Sequence, residues 1–282
     1  MTPSIGALFI YPVKSCRGIP MASAMLTERG LAHDREWMIV QASGDPARFV
    51  TQREIPRLAL IGTALSETSL VLAAPGMDPL SISLEIGDTT TGAGCRVGVW
   101  RDTVAAIDQG DAAAKWISQF TGADLRVVRF DTRSRRPCNP EYAGDTGAHT
   151  GFADGYPVLV IGSQSLDDLN QKLGRSGSPA LPMNRFRPNI VIDGLDAYDE
   201  DHLSRLTVGD VELRLVKPCV RCRITTTDQA SAEVGDEPLR TLSGYRNNPR
   251  LGGVTFGMNA IVTRGAGLPI TAGSPASIEW AF

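Results

Sequence analysis

The first half of this 282-residue chain is a series of short β-forming runs separated by turn residues. Several such runs in a row are typical of a β-barrel or a β-sandwich. The exception is residues 111–122, where apolar side chains recur at helical spacing and a glycine ends the segment. The strand-forming runs are SIGALFIYPV, EWMIVQASGDPARFVTQRE (two strands around a turn), TSLVLAAPG, LSISLEIG, CRVGVW and DTVAAIDQG.

Between residues 125 and 147 the chain becomes irregular and basic, with five arginines. We interpret this segment as a connector whose arginines are solvated or contact an anion, and we place the domain boundary within it, between residues 130 and 131. The second half mixes strand-like runs such as YPVLVIG and VELRLV with a helix, SQSLDDLNQKLG. Ser165 and Asp168 have the spacing of a capping box at the start of that helix.

Composition excludes several classes of protein. The formal net charge is −3, which argues against nucleic acid or an anionic membrane as a general partner. No apolar run approaches the ~20 residues of a membrane span, and the N-terminal apolar run indicates a strand and not a signal peptide, so the expected compartment is the cytoplasm. Walker A and Gly-x-Ser-x-Gly motifs are absent, GAGCRVG does not continue into a helix, and the three histidines lie far apart.

The stretch KPCVRCRITTTD holds Cys219 and Cys222 in a Cys-x-x-Cys spacing, surrounded by basic residues. Half of a structural zinc site would need a second cysteine pair, and the other cysteines are isolated. A redox dithiol would need a helix start, which the β-branched run after the pair disfavours. Two alternatives remain: buried, inert thiols, or one thiolate, favoured by the nearby cations, that binds a soft-accepting transition metal.

Six blocks of the chain resemble parts of one known family, and they occur in the family's order. KPCVRCRITTTD, EPLRTLSGYR, RFRPNIVIDG and FADGYPVLVI resemble the MOSC domain, and YPVKSCRG with HDREWMIV resembles the β-barrel domain that precedes it in some members. Those members include the mitochondrial amidoxime-reducing components and YcbX-like bacterial proteins. The resemblance implies a mostly β fold with α+β elements: an N-terminal MOSC β-barrel domain at 1–130 and a MOSC β-barrel domain with peripheral helices at 131–282.

The resemblance also implies a molybdenum–molybdopterin (pyranopterin) cofactor between the two domains. Cys222 corresponds to the thiolate ligand of molybdenum, and Asp154 to a residue beside the metal with a catalytic, proton-handling role. The implied cofactor-binding residues are Lys14, Ser15, Arg35, Gly155, Tyr156, Arg187, Asn189, Cys219, Val220, Arg221 and Asn259.

The chemistry of these residues agrees, because guanidinium and ammonium groups suit an anionic phosphate. Each also has a simpler role. Lys14 fits a solvated charge at a strand end, Arg35 fits an ion pair with a neighbouring carboxylate, and Arg187 fits a loop cap. Asp154 before Gly155 fits a turn.

The resemblance implies a reductase of N-hydroxylated compounds (amidoximes, hydroxylamines, N-hydroxylated bases) that acts by oxygen-atom transfer to molybdenum. The expected partners are a small N-hydroxylated substrate and a separate electron-transfer protein of the ferredoxin, flavodoxin or cytochrome b5 reductase type. A separate donor is expected because no iron–sulfur cysteine motif follows the second domain. No membrane anchor is expected either, because the chain starts at the first strand. Two other functions stay open: a carrier of sulfur or cofactor with a Cys222 persulfide, and a metal-free interaction protein.

Overall fold

A computed structural model describes residues 2–85 and 94–281, and β-strands dominate them, as predicted. The helices are α1 (Gly110–Thr121), α2 (Pro140–Ala143), α3 (Ser163–Arg175) and α4 (Leu239–Ser243), with short 3₁₀ helices at Pro56–Leu60, Met183–Arg185, Asp199–His202 and Arg223–Thr226. The strands are β1 (Ser4–Ile10), β2 (Ile19–Met21), β3 (Ser23–Thr27), β4 (Gly30–Leu31), β5 (Trp37–Gly44), β6 (Ala47–Phe49), β7 (Gly62–Leu65), β8 (Ser69–Ala73), β9 (Leu80–Ser83), β10 (Gly94–Val99), β11 (Asp102–Asp108), β12 (Leu125–Phe130), β13 (Val158–Gly162), β14 (Ile190–Asp193), β15 (Leu203–Val208), β16 (Val211–Val220), β17 (Asn247–Asn248), β18 (Gly253–Arg264), β19 (Pro269–Thr271) and β20 (Ser277–Trp280).

The N-terminal half contains a closed barrel of β10, β11, β12, β5 and β6, in that order. The barrel closes where β6 pairs in parallel with β10. Because successive side chains of a strand face opposite sides, alternate apolar residues meet in one cluster, which includes Met38, Val40, Val97, Val104 and Val128. The predicted N-terminal barrel is confirmed. The ends of two runs that we analysed, LSISLEIG and GAGCRVG, lie outside the described residues.

The prediction that the chain becomes irregular at residue 125 is wrong. Residues 125–130 form β12, which pairs antiparallel with β5 inside the barrel. Two arginines of this strand are used within the fold: Arg126 pairs with Asp108, and Arg129, buried, pairs with Glu36. The two arginines made the segment look irregular in the sequence, although its apolar side chains alternate with them and bury the strand.

Helix α1 matches the predicted segment. Its buried face, Ala113, Trp116, Ile117 and Phe120, packs into the apolar cluster below β12. The helix ends because Gly122 takes the left-handed conformation (φ 75°) and its N–H donates to the Ser118 carbonyl.

The predicted capping box of α3 does not form. The helix itself is present, but Gly162 is its N-cap and no side chain caps it. Ser165 is buried and donates from Oγ to the Glu200 carboxyl at 2.7 Å. A tertiary hydrogen bond therefore takes the hydroxyl that the sequence pattern assigned to the helix end. Among the described helices, none is both long and apolar enough to cross a membrane.

All strands of the second half except β19 join one nine-stranded sheet, and the N-terminal strand belongs to it. The order is β2-β1-β14-β13-β18-β16-β15-β20, with β17 attached to β18. Strand β1 pairs antiparallel with β14, and β3 pairs with β19 in a smaller sheet. The chain thus starts in the nine-stranded sheet and then crosses to the barrel. This path places the Tyr11–Gly18 stretch between the sheet and the barrel. The domain boundary at 130/131 stays a prediction.

Candidate functional site

One cavity lies where the barrel meets the nine-stranded sheet, and every candidate site residue lines it. The space, including its open mouth, is about 810 Å³. Most segments contribute through a loop or strand end: the loop after β1, the loop before β5, the loops before β13 and β14, and the end of β16; Asn259 contributes from the middle of β18. The candidate residues that the structure brings together are Lys14, Ser15, Arg35, Asp154, Gly155, Tyr156, Arg187, Asn189, Cys219, Val220, Arg221, Cys222 and Asn259.

Three cavity residues have a left-handed backbone conformation, which residues other than glycine rarely adopt. The φ angles are 72° at Ser15, 47° at Arg35 and 55° at Arg187. Each such residue costs about 1–2 kcal/mol relative to an ordinary conformation. Strain of this kind persists only when the surrounding structure imposes it, and it concentrates at functional sites. The three residues therefore mark this cavity as a site that the fold maintains at a cost in stability.

A buried tyrosine lies between the two strained arginines. The guanidinium carbons of Arg35 and Arg187 lie 4.3 and 4.2 Å from the centroid of the Tyr11 ring. Burial raises the pKa of the Tyr11 hydroxyl to about 12, although the two cations oppose that change. The neutral ring thus offers both cations a π face at neutral pH.

Arg187 has donor capacity that the described residues do not use. Its Nη1 donates to the Cys16 carbonyl at 2.6 Å, whereas its buried Nη2 has no hydrogen-bond partner among residues 2–85 and 94–281. Burial, with help from the Arg35 charge, lowers the pKa of Arg187 to about 10, so the guanidinium is still charged at neutral pH. An unpaired buried donor on a cation is costly unless an anion occupies the space beside it.

Arg35 and Asn189 form hydrogen bonds with other groups of the protein. Arg35 Nη1 donates to both carboxylate oxygens of Asp34, at 2.8 and 2.6 Å, and to Asn189 Oδ1 at 3.2 Å. Asn189 Oδ1 also accepts from the Leu159 N–H at 3.1 Å. The ion pair with a neighbouring carboxylate, one of the simpler roles considered for Arg35, is present. Contact of either residue with a cofactor stays a prediction.

Lys14 and Asp154 form an ion pair at the cavity wall. Lys14 Nζ donates to Asp154 Oδ1 at 2.5 Å and to the Phe152 carbonyl at 2.7 Å. Burial lowers the pKa of the Lys14 ammonium, while the Asp154 charge opposes that change. Desolvation raises the pKa of the Asp154 carboxyl, but the charge and hydrogen bond of Lys14 outweigh it, so the pKa lies well below its usual range. Lys14 is therefore buried and paired, and not a solvated strand-end charge.

A buried arginine that the sequence assigned to a solvated connector holds the Asp154 loop. Arg136 is 4% exposed and donates from Nη1 to the carbonyls of Gly151 (3.0 Å) and Ala153, and from Nη2 to the Asp154 carbonyl (2.6 Å). Its Nε donates to Asp102 at 2.6 Å. The solvated role is wrong for this residue, because it is buried and backbone carbonyls and a carboxylate use all three nitrogens; the anion that it contacts is Asp102 of the protein itself.

Neither cysteine of the pair is buried, which contradicts the interpretation as inert core thiols. Both Cys219 and Cys222 are partly exposed and line the cavity, whereas Cys16 and Cys138 are buried. Arg221 Nη1 donates to Cys219 Sγ at 2.9 Å, and Arg221 Nη2 donates to the Phe186 carbonyl at 2.5 Å. Within the described ranges, no group of three or more His, Cys, Asp or Glu side chains could hold a metal ion. A metal at this pair would need ligands from a bound molecule.

Cys222 precedes the 3₁₀ helix at Arg223–Thr226 in an extended conformation, with φ −117° and ψ 176°. Its carbonyl accepts from both the N–H (3.1 Å) and the hydroxyl (2.9 Å) of Thr225. These two bonds fix the backbone of the residue and so limit where its sulfur can lie. The remaining candidates, Tyr156 and Asn259, line the wall; the Tyr156 hydroxyl is buried without a partner among the described residues.

Sequence reasoning missed residues of the cavity mouth. Arg53 lines the cavity from the segment after β6, and Trp100 contacts both Arg53 and Asp154 from the turn after β10. Thr51 also lines the cavity and is buried. Arg53 and Thr51 carry no signal in the sequence. Trp100 does: a tryptophan stands in a two-residue turn, where small turn-forming residues are usual.

Two family models match the chain and cover most of it. The MOSC N-terminal beta barrel domain matches residues 2–124, and the MOSC domain matches residues 147–276.

Curated relatives match over most of the chain. Mitochondrial amidoxime reducing component 2 of Rattus norvegicus is 33% identical over 86% of this chain and 72% of its own length. Mitochondrial amidoxime-reducing component 1 of Homo sapiens is 35% identical over the same shares of the two chains. The molybdenum cofactor sulfurase of Bos taurus is 30% identical over 85% of this chain, which spans 28% of that protein. This chain therefore belongs to the MOSC family, in the group that joins a MOSC N-terminal β-barrel domain to a MOSC domain and includes the mitochondrial amidoxime-reducing components.

Proposed function

We propose that the protein is a reductase of N-hydroxylated compounds that depends on a molybdenum–molybdopterin cofactor. One observation carries the proposal: Cys222 lines the same cavity as Arg187, whose buried Nη2 has no hydrogen-bond partner among the described residues. A soft sulfur ligand and a buried cation without an anion are what a metal on an anionic pterin requires. The similarity to amidoxime-reducing components supports the reaction class.

The residues present fit this cofactor. Arg187 Nη2 and the buried Arg221 Nε lack partners among the described residues, so both can donate to an anionic ligand. Ser15 adds a hydroxyl beside them. Cys222 would hold the metal, and the Cys219–Arg221 segment would support the pterin.

When bound, the cofactor supplies the two-electron chemistry that converts an N–OH group to N–H. The reaction R–NH–OH plus two electrons and two protons yields R–NH₂ and water. In the Lys14–Asp154 pair at the cavity wall, Nζ carries the proton and donates to Oδ1 at 2.5 Å. Burial lowers the pKa of Lys14, which makes its Nζ a better proton donor than an exposed lysine.

The proposed reaction needs a donor of two electrons. The proposed partner is a separate electron-transfer protein of the ferredoxin, flavodoxin or cytochrome b5 reductase type, and the proposed substrates are small N-hydroxylated molecules.

A carrier of sulfur or cofactor is the second candidate. It is favoured by the similarity to the molybdenum cofactor sulfurase and by the partial exposure of Cys222, the residue that would carry the persulfide. The two candidates differ in one result. A carrier holds molybdenum or sulfane sulfur without reducing benzamidoxime. A reductase holds molybdenum and also reduces benzamidoxime when an artificial donor supplies electrons.

The test compares Cys222→Ser with a matched control, Cys95→Ser. Cys95 lies on β10, outside the cavity, and its thiol makes a long hydrogen bond (3.6 Å) to the Ala106 carbonyl, which a serine hydroxyl can replace. We expect Cys222→Ser to keep its unfolding midpoint but to lose bound molybdenum and benzamidoxime reduction, while Cys95→Ser retains both. Full activity in Cys222→Ser would show that the proposed metal ligand is wrong.

A further inference from the structure

We propose that Trp100 is a specificity-determining residue that selects flat, aromatic N-hydroxylated substrates at the mouth of the cavity. The inference rests on the proposed reductase function, which by itself does not say which N-hydroxylated compounds the site accepts.

The position of Trp100 in the backbone is unusual. Val99 pairs with Asp102, so only Trp100 and Arg101 form the turn between β10 and β11. Trp100 has a φ of 58°, a conformation that such turns normally give to Asn, Asp or Gly. A bulky side chain there is an outlier. Trp100 is also 49% exposed, so burial in a core does not account for it.

The indole is tied to the cavity by two residues that line it. Its Nε1–H donates to Asp154 Oδ1 at 3.2 Å, and the Arg53 guanidinium carbon lies 4.5 Å from its ring centroid. Phe49 packs against it edge-on, with ring centroids 5.2 Å apart. Trp100 is thus held at the rim of the cavity with half of its surface still open.

Asp154 presents a free acceptor next to that open surface. Its Oδ1 accepts from both Lys14 and Trp100, while its Oδ2 accepts from no residue in the described part of the chain. The Asp154 side chain is 68% exposed. A flat substrate can therefore place its ring against the indole while its N–OH or NH₂ group donates to Oδ2.

This arrangement predicts a preference that depends on the substrate's ring. Aromatic pairs gain interaction energy beyond the area they bury, whereas a methyl group in the same place gains little. Benzamidoxime and acetamidoxime carry the same N–OH and NH₂ donors and differ in the ring. They therefore separate a stacking role of Trp100 from a role in which it only holds Asp154.

The experiment measures equilibrium binding of both compounds to the molybdenum-containing protein by calorimetry, without a reductant, so that no turnover occurs. We expect Trp100→Leu to weaken benzamidoxime binding about tenfold and acetamidoxime binding less than about twofold. Trp100→Phe keeps a ring and should stay within about threefold for both. The matched control is Arg101→Ala, the exposed neighbour in the same turn, which should stay within about twofold.

Equal weakening of both compounds by Trp100→Leu would overturn the inference, because Trp100 would then act only through Asp154. Unchanged binding, or no binding of benzamidoxime to the wild-type protein, would overturn it too. The binding readout separates this inference from the reductase proposal. Ring-selective binding without reduction would contradict only the reductase, and reduction without ring selectivity would contradict only the role of Trp100.

Discussion

Arg136 is the residue whose replacement tests most directly how the fold positions Asp154. In Arg136→Met the chain keeps a side chain of similar reach but loses the guanidinium. The carbonyls of Gly151 and Ala153, both in buried residues, then lose their donor. The other two acceptors, the Asp154 carbonyl and the half-exposed Asp102 carboxylate, can turn to water instead.

The magnitude follows from the two buried carbonyls. Each buried acceptor left unsatisfied costs about 1–3 kcal/mol. Exposed partners add little, and the cost of burying the guanidinium is relieved. We therefore expect a loss of about 3 kcal/mol in the free energy of unfolding. For a chain of this size, that loss lowers the melting temperature by about 6–10 °C.

The assay is thermal unfolding followed by circular dichroism, with Arg135→Ala as the matched control. Arg135 is the exposed neighbour in the sequence, so its replacement should change stability by no more than about 0.5 kcal/mol. We also expect benzamidoxime reduction to fall in Arg136→Met well below the melting temperature, because the Asp154 loop loses its support. A drop in melting temperature no larger than that of Arg135→Ala would refute the argument from buried carbonyls.

Three further predictions test other parts of the molecule. Arg187→Lys should lower bound molybdenum about tenfold by elemental analysis, because one ammonium cannot serve both a backbone carbonyl and an anion; unchanged content contradicts the anion role. Two backbone N–H groups and then an arginine lower the pKa of the Asp228 carboxyl to about 2, so the group stabilises the fold above its unfolded pKa of about 4, and that contribution is lost as pH falls from about 4 to 2. Asp228→Asn should therefore lower the free energy of unfolding, measured by urea denaturation at pH 7, by about 1 kcal/mol, a figure reduced for the partial exposure of the carboxyl. The difference between variant and wild type should vanish near pH 2; a difference that stays constant with pH contradicts this link between protonation and stability. Burial raises the pKa of Cys16 to about 12 and of Cys138 to about 11, so iodoacetamide should label these two only after unfolding, whereas the Cys-x-x-Cys pair reacts in native protein without cofactor, as peptide mass mapping can measure.

Elements that depend on local periodicity were predicted well. The helix at residues 111–122 has its apolar face, its polar face and its terminal glycine within one short segment, so neighbouring residues specify it. The barrel strands other than β12 alternate in the same local way, whereas β12 was interpreted as an irregular basic segment. Prediction failed where a side chain serves a distant partner. Ser165 has the spacing of a capping residue, but Glu200, far along the chain, takes its hydroxyl.

The cavity shows the same division. Cys222 and Arg187 were found because each lies in a compact motif. Arg53 and Trp100 were missed because their place at the cavity mouth depends on how the barrel docks against the sheet, and no short stretch of sequence encodes that contact.

By itself the sequence determined the kinds of secondary structure, the family and the set of chemical groups available to a cofactor. Those properties depend on residue type and short-range spacing, which a single chain displays directly. Only the tertiary structure decided which arginines already donate hydrogen bonds within the protein. Arg35 pairs with Asp34, Arg136 donates to backbone carbonyls, and a nitrogen of Arg187 has no partner among the described residues. The physical reason is that a hydrogen bond needs donor and acceptor atoms about 3 Å apart, and remote segments come that close only when the whole chain is folded.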